Sequence, residues 1–227
     1  MERRNGILDA NLYVYKSAQD LVNSKLILVK KRFESYAYST KEDGRLGDIK
    51  EIITRIKDND SIEEKLLKNG HNVSFEDAIE YVRDIVGFRI ICMYEKDIPK
   101  IVSLIEKLGF EVFRRKDYVT EPKKSGYRSY HITLKIPVDL GDQIEIVLVE
   151  IQIRTDFMDL WASREHDMIY KTTLSESELI SIKKTLVSLA GALDLAAAAM
   201  QSARITELSA VENLENKESA KQKKKLL

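Results

Sequence analysis

In the segment VEIQIR, Glu150, Gln152 and Arg154 occupy every second position, with Val149, Ile151 and Ile153 between them. Side chains alternate along a strand with period two, so a carboxylate, an amide and a guanidinium share one face and the aliphatic residues the other. Any one of the three reads as a polar strand end facing solvent. Three in register need partners, and a second alternating segment offers them. In KKSGYRSYHITLKIP, residues 123–137, Tyr130, Ile132, Leu134 and Ile136 form a core face, while Ser129, His131, Thr133 and Lys135 form a polar one. A second carboxylate, Asp84, stands immediately before the apolar run that starts at Ile85, a position where a boundary or turn acid is also ordinary. Two carboxylates from strand ends suit Mg²⁺, a hard cation that takes one or two of them together with phosphate oxygens and keeps its waters. Metal-free chemistry remains open. His71, His131 and His166 are too scattered for a zinc site, and neither H-E-x-x-H nor CxxC occurs.

No G-x-x-x-x-G-K-[ST] loop is present, so a phosphate would have to be held by side-chain cations. Arg55, Lys57, Lys65, Arg89, Lys123, Lys124, Arg128 and Arg154 are the candidates, although a lysine such as Lys65 ordinarily just solvates a helix. Arg89 differs because it interrupts the apolar segment VGFRIIC, where an unpaired charge would cost several kcal/mol. It must be paired or at a site. Tyr127, with Lys123 and Lys124 at one edge and Gly126 permitting close backbone approach, has the makings of a platform for a stacked base. A tyrosine packing at a strand start is the equally balanced alternative.

The elements that must position these residues follow from periodicity. Ala18, Leu21, Val22, Leu28, Val29 and Phe33 predict a helix over 16–38, followed by a charged loop over 41–47. Ile49, Ile52, Ile53 and Ile56 fall at i, i+3, i+4 and i+7, the spacing of a helical face. Ser61 and Glu64 fit a capping box that opens a helix, and Gly70 suits its end. Residues 85–94 predict a strand, Asp97 to Gly109 a helix, and 110–119 another strand. The alternating segment from Arg128 and residues 143–154, joined by a turn at Leu140-Gly141-Asp142, predict an antiparallel pair. A helix follows Thr155 with Phe157, Leu160 and Trp161 on one side, and a long helix spans 176–213. The charged tail, 214–227, is expected to be disordered. The sum is an α+β fold with a mixed sheet flanked by helices.

At 227 residues, with 37 basic and 37 acidic side chains, charge favours no nucleic-acid partner in particular. The single Cys92 excludes an internal disulfide and fits a cytoplasmic, reducing setting. No export signal is evident, and no stretch is expected to approach the about 18 apolar residues of a membrane span.

Five fragments, TRIKDNDSIEEKL (54–66), DIVGFRI (84–90), KKSGYRSYH (123–131), VEIQIRT (149–155) and MDLWASREHDMIYK (158–171), resemble the synthetase domain of the RelA/SpoT family in order and spacing. The resemblance is nearest to its small stand-alone alarmone synthetases. It divides the chain into an N-terminal helical segment (1–48), the synthetase domain (49–171), C-terminal helices (172–213) suited to oligomerisation, and the tail (214–227). It implies a mostly antiparallel, nucleotidyltransferase-like sheet and transfer of pyrophosphate from ATP to the 3′-hydroxyl of GDP or GTP. Asp84 and Glu150 would hold Mg²⁺, with Glu150 also a candidate general base. Arg55, Lys57, Ser61 and Lys65 would grip ATP phosphates, with Arg89 stacked on adenine. Tyr127 would stack on guanine, and Lys123, His131, Gln152 and Arg154 would orient the acceptor. Asp159, which stands where small members often carry Asn, would also contact the GDP or GTP acceptor. A homo-oligomer, by resemblance a tetramer, and an allosteric nucleotide are the implied partners, with no membrane and no requirement for nucleic acid. Phosphoryl-type displacement asks mainly for alignment and positive charge, which these residues supply. No hydrolase motif accompanies them. An adenine nucleotide or a tRNA end as acceptor, or a catalytically silent binding module, are the alternatives.

Overall fold

The computed structural model describes residues 12–39, 48–169 and 175–225. Helix α1 (Leu12–Ser39) is followed by β1 (Ile49–Ile56), α2 (Asn59–Lys68), α3 (Phe75–Tyr81) and β2 (Val86–Cys92). A 3₁₀ turn (Glu95–Asp97) leads into α4 (Ile98–Glu106), then β3 (Glu111–Asp117), β4 (Tyr130–Asp139), β5 (Ile144–Thr155), α5 (Asp156–Ile169) and α6 (Glu176–Lys225). The five strands form one sheet in the order β1-β2-β5-β4-β3. Only β2 and β5 run parallel; the other neighbours are antiparallel, so the sheet is mixed and mostly antiparallel.

Alternation gives the sheet two unlike faces. Ile132, Leu134 and Ile136 of β4, Val147, Val149, Ile151 and Ile153 of β5, and Val86, Phe88 and Ile90 of β2 are all buried in one apolar core. Helix α1 joins that core through Val14, Ala18, Val22, Leu26, Val29 and Phe33, one apolar stripe at helical spacing, and α4 through Ile98, Ile101, Val102 and Ile105. Cys92 is buried there as well, and burial raises its thiol pKa. The opposite face carries the polar residues, and α5 and α6 cover one end of it through a second cluster of Tyr127, Trp161, Ala162, Leu186 and Ala190.

Several expectations need correcting. Ile49–Ile56 is a strand, not a helix, because its β-branched residues pair antiparallel with β2. The helical spacing of its isoleucines is coincidental: Ile49 is buried, but Ile53 is exposed. Asp58, not Ser61, caps α2; Ser61 sits inside the first turn and gives both its backbone N–H and its hydroxyl to the Asp58 carboxylate. Leu160 is exposed, and α5 instead buries Met158, Trp161 and Ala162. Helix α6 continues to Lys225 across most of the expected tail, whose Lys, Glu, Gln and Ala residues are strong helix formers. Residues Ile180–Val211 of α6 include an 18-residue window with mean hydropathy 1.4, only 11% buried, long and apolar enough by composition to cross a membrane. Alanines and scattered leucines build that apolarity without a continuous run of large side chains. The expected loop at 41–47 lies outside the described residues.

Candidate functional site

Strand register brings the polar residues together in rungs across the sheet. One rung reads Arg114, Thr133, Glu150, Gly87 and Arg55; the next reads Lys116, His131, Gln152, Arg89 and Ile53. The Arg55 side chain lies over Gly87, where a Cβ would meet its Cγ at an ordinary contact distance of 3.7 Å. Asp84, two residues before β2, joins Glu150 in a cavity of about 240 Å³, also lined by Lys65, Lys116 and His131. The two carboxylates, far apart in the chain, therefore meet.

They are held differently. Asp84 accepts from Lys57 Nζ at 2.9 Å and Lys65 Nζ at 2.6 Å. Burial alone would raise its pKa, but the two ammonium groups outweigh it and hold the carboxyl at about 2. Glu150 is raised by burial and by Asp84, yet the bonds from His131 and Gln152 prevail and lower it. Gln152 Nε2 donates to Glu150 Oε2 at 2.8 Å, and His131 Nδ1 lies 3.3 Å from Glu150 Oε1. An ionised carboxylate only accepts, so Nδ1 carries the proton.

The remaining bonds close a ring. Arg154 Nη2 donates to Gln152 Oε1 and to the Tyr127 hydroxyl, both at 2.7 Å, and that hydroxyl is 2.8 Å from His131 Nε2. Glu150, Gln152, Arg154, Tyr127 and His131 thus form one closed circuit. Arg154, 5% exposed, also donates to Ser129 Oγ and Asp159 Oδ1. It is the hub of the circuit rather than a cation free for ligand.

Beside the ring, Arg55, Arg89, Tyr127, Gln152 and Arg154 line a second cavity of about 530 Å³ with residues of α5. Arg89 pairs with Asp159 at 3.1 Å, which answers the demand that it be paired. Its pKa is lowered by burial and by the neighbouring Arg154. Tyr127 is not an open platform here. Its ring meets Trp161 edge-on at 6.2 Å, and Lys123 Nζ stands 4.6 Å from its centre. Gly126, at φ +91°, makes its close approach to α6: a Cβ there would fall 2.8 Å from Ala190 Cβ. Arg128 is engaged by Asp194 at 2.7 Å and Glu95 at 2.9 Å.

Sequence reasoning missed Arg83, Arg114, Lys116 and Tyr81, which line the carboxylate cavity with Thr133 of the polar strand face. The signal for Arg114 and Lys116 was their period-two spacing, but only the β3–β4 register places them opposite Thr133 and His131. Hard oxygen donors on Asp84 and Glu150 fit a divalent cation that completes its shell with phosphate and water. Among the described residues no group of three or more His, Cys, Asp or Glu forms an all-protein cage.

Paired carboxylates, ringed by cations on an open sheet face, define a site for a phosphate-rich ligand. Comparison with known proteins fixes the class. Residues 54–175 match the model of the region found in RelA/SpoT proteins, and the chain belongs to that family. It is 35% identical over 161 residues to the GTP pyrophosphokinase YwaC of Bacillus subtilis (strain 168), spanning 70% of this chain and 73% of that protein. Over 106 residues it is 39% identical to the GTP pyrophosphokinase YjbM of the same organism, spanning 46% and 50%. The crystal structure of small alarmone synthetase 1 from Bacillus subtilis bound to its product pppGpp superposes with a TM-score of 0.70, at 31% identity, over 84% of this chain and 92% of that one.

Proposed function

We propose that the protein transfers the β,γ-pyrophosphate of ATP to the 3′-hydroxyl of GDP or GTP, making ppGpp or pppGpp. The observation that carries this reading is the meeting of Asp84 and Glu150 in one cavity among cations. The names of its relatives agree. In the reaction the 3′-oxygen forms a bond to Pβ of ATP, the Pβ–O bond to Pα breaks, AMP leaves, and the 3′ proton passes to Glu150. Glu150 can take that proton because it is ionised and its neighbours orient both oxygens. Asp84 and Glu150 would hold Mg²⁺, which supplies charge neutralisation on the transferring phosphates. Lys57 and Lys65, already beside Asp84, would grip the same phosphates; Arg55 and Arg89 would take the adenosine side, Arg89 by stacking. Ser61 can contribute by turning its hydroxyl from Asp58. Lys123, Tyr127, His131 and Gln152 border the acceptor; for Tyr127 to stack on guanine, Lys123 must leave its ring face.

The test is incubation of purified protein with γ-labelled ATP, Mg²⁺ and GDP, GTP, AMP, ATP or tRNA in turn. Label in guanine nucleotides alone is the expected result. Label in AMP, ATP or tRNA instead would overturn the acceptor, and no transfer at all would reduce the chain to a binding module. Release of pyrophosphate from the labelled product by the same protein would contradict a synthetase without hydrolase activity.

The same reading makes the protein a cytoplasmic homo-oligomer. Leu195, Met200, Ile205 and Leu214 of α6 are exposed, a surface that a second copy would cover, and the family resemblance favours a tetramer. Light scattering that returns a monomer, or recovery of the protein with membranes, would contradict this.

A further inference from the structure

Asp159 stands in the first turn of α5, where one of its oxygens serves two guanidinium groups. Oδ1 lies 3.1 Å from Arg154 Nη1 and 3.1 Å from Arg89 Nη1. The two arginines line one cavity but differ in what else they hold. Arg154 holds the ring around Glu150, through Gln152 on one side and Tyr127 on the other. Arg89 is bonded to no member of that ring and stands beside Arg55 on the wall of the cavity. Placed on adjacent parallel strands, the two cations repel one another, and the carboxylate between them offsets that repulsion. The Arg154 bond is charge-assisted, the Arg89 contact is an ion pair to the same oxygen, and Arg154 is nearly fully buried, so whatever draws Arg89 away changes how firmly Asp159 holds Arg154.

We propose that Asp159 is a positioning residue that couples the two nucleotide subsites: when the donor nucleotide takes Arg89, the shared oxygen is left to Arg154, which tightens the ring that orients Glu150 and Tyr127. The inference rests on the pyrophosphate-transfer reading. It also gives Asp159 a different task from touching the acceptor, since Oδ1 already serves both arginines. Because coupling between sites is reciprocal, either nucleotide should strengthen binding of the other.

Calorimetric titration of a non-hydrolysable ATP analogue, with Mg²⁺, in the absence and presence of saturating GDP measures the coupling directly. Wild type is expected to bind the analogue at least about 5-fold more tightly when GDP is present, the lower end of ordinary coupling factors. Asp159→Asn keeps an acceptor but loses the charge, and should reduce the factor by about half or more. Asp159→Ala should bring it to within about twofold of unity while each nucleotide alone still binds within a few-fold of wild type. A wild type with no coupling, or either variant with the full wild-type factor, would overturn the inference. So would an Asp159→Ala protein that binds GDP alone far more weakly, since Asp159 would then be an acceptor ligand. Should the alanine variant fail to fold, as judged by its melting curve, the asparagine variant decides alone. Failure of transfer to any guanine nucleotide in wild type would sink the functional reading itself. Intact transfer without coupling would sink only this inference.

Discussion

Asp84 and Glu150 line the same cavity, yet one is restrained by two lysine ammonium groups and the other by the sheet. The partners of Asp84 are Lys57, just beyond β1, and Lys65, on α2, long flexible side chains whose ammonium groups are point charges with no directional fork. The partners of Glu150 are Gln152, two residues along the same strand, and His131, on the adjacent strand, both fixed in turn by Arg154 and Tyr127. Lysines can exchange a carboxylate for a metal-bound phosphate with little rearrangement. The ring cannot let go of Glu150 without breaking several bonds at once. A site for pyrophosphate transfer needs both: a carboxylate that accepts a new cation, and a base whose lone pair points at a fixed place.

The sharpest way to break this comparison is Glu150→Gln. The substitution preserves shape and removes the charge, so kcat should fall by about 10² to 10⁴-fold, the range expected for loss of a general base, with the melting temperature nearly unchanged. Full activity in the variant would remove Glu150 from the chemistry. Arg154→Ala attacks the ring instead of the base. It takes a donor at once from the Tyr127 hydroxyl, Gln152 Oε1 and the Asp159 carboxylate, leaving Tyr127 to His131 and Asp159 to Arg89, and should cost about 3 kcal/mol in urea unfolding, the lower end expected for breaking a buried ion pair from one side. Arg154→Lys should recover part of that, since an ammonium keeps the charge but cannot fork to several acceptors.

How much of this was legible in the sequence depended on the range of the interaction. The alternation of β4 and β5 is a local pattern, so their core faces and the shared face of Glu150, Gln152 and Arg154 were readable directly. The meeting of Asp84 with Glu150 was suggested by family resemblance and needed the parallel β2–β5 register to become geometry. β1 was misread because four isoleucines satisfy a helical period as well as a strand's preference for β-branched residues, and its partner, β2, is remote in sequence. Ser61 was misread as the cap because only the folded first turn shows that the Asp58 carboxylate, three residues earlier, accepts from it. The part that Arg154 plays was invisible for a stronger reason. Its partners come from β5, the loop before β4 and α5, and no periodicity in any one of them points to the others.

Acid should distinguish the two carboxylates further. Asp84 is depressed to about 2 in the folded protein, so its stabilising pairing is fully present above about pH 4, where an unfolded aspartate is ionised, and is lost as pH falls toward 2. The loss amounts to roughly 2 kcal/mol. Asp84→Asn should already lack that contribution at neutral pH, with Lys57 and Lys65 left facing one another, and its stability should converge on wild type as pH falls. Parallel stability curves for the two proteins between pH 4 and 2 would mean that the lysines do not hold Asp84 as described.

A last variant tests whether burial, rather than the mere presence of an arginine pair, gives the ring its strength. Arg128 sits on the loop that carries Tyr127 and pairs with Asp194 on α6 and Glu95 after β2, but both acids are nearly half exposed, at 45% and 48%. Water and salt screen such pairs, which are worth about 0.2–1 kcal/mol. Arg128 Nη2 also donates to the Val119 carbonyl at 2.8 Å, so the guanidinium keeps an anchor when one acid is lost. Asp194→Asn should therefore cost less than about 1 kcal/mol, and less still at high salt. A penalty as large as that of Arg154→Ala would mean that α6 is held to the acceptor loop by this pair, and that the apolar contact of Gly126 and Tyr127 with Ala190 and Leu186 contributes little.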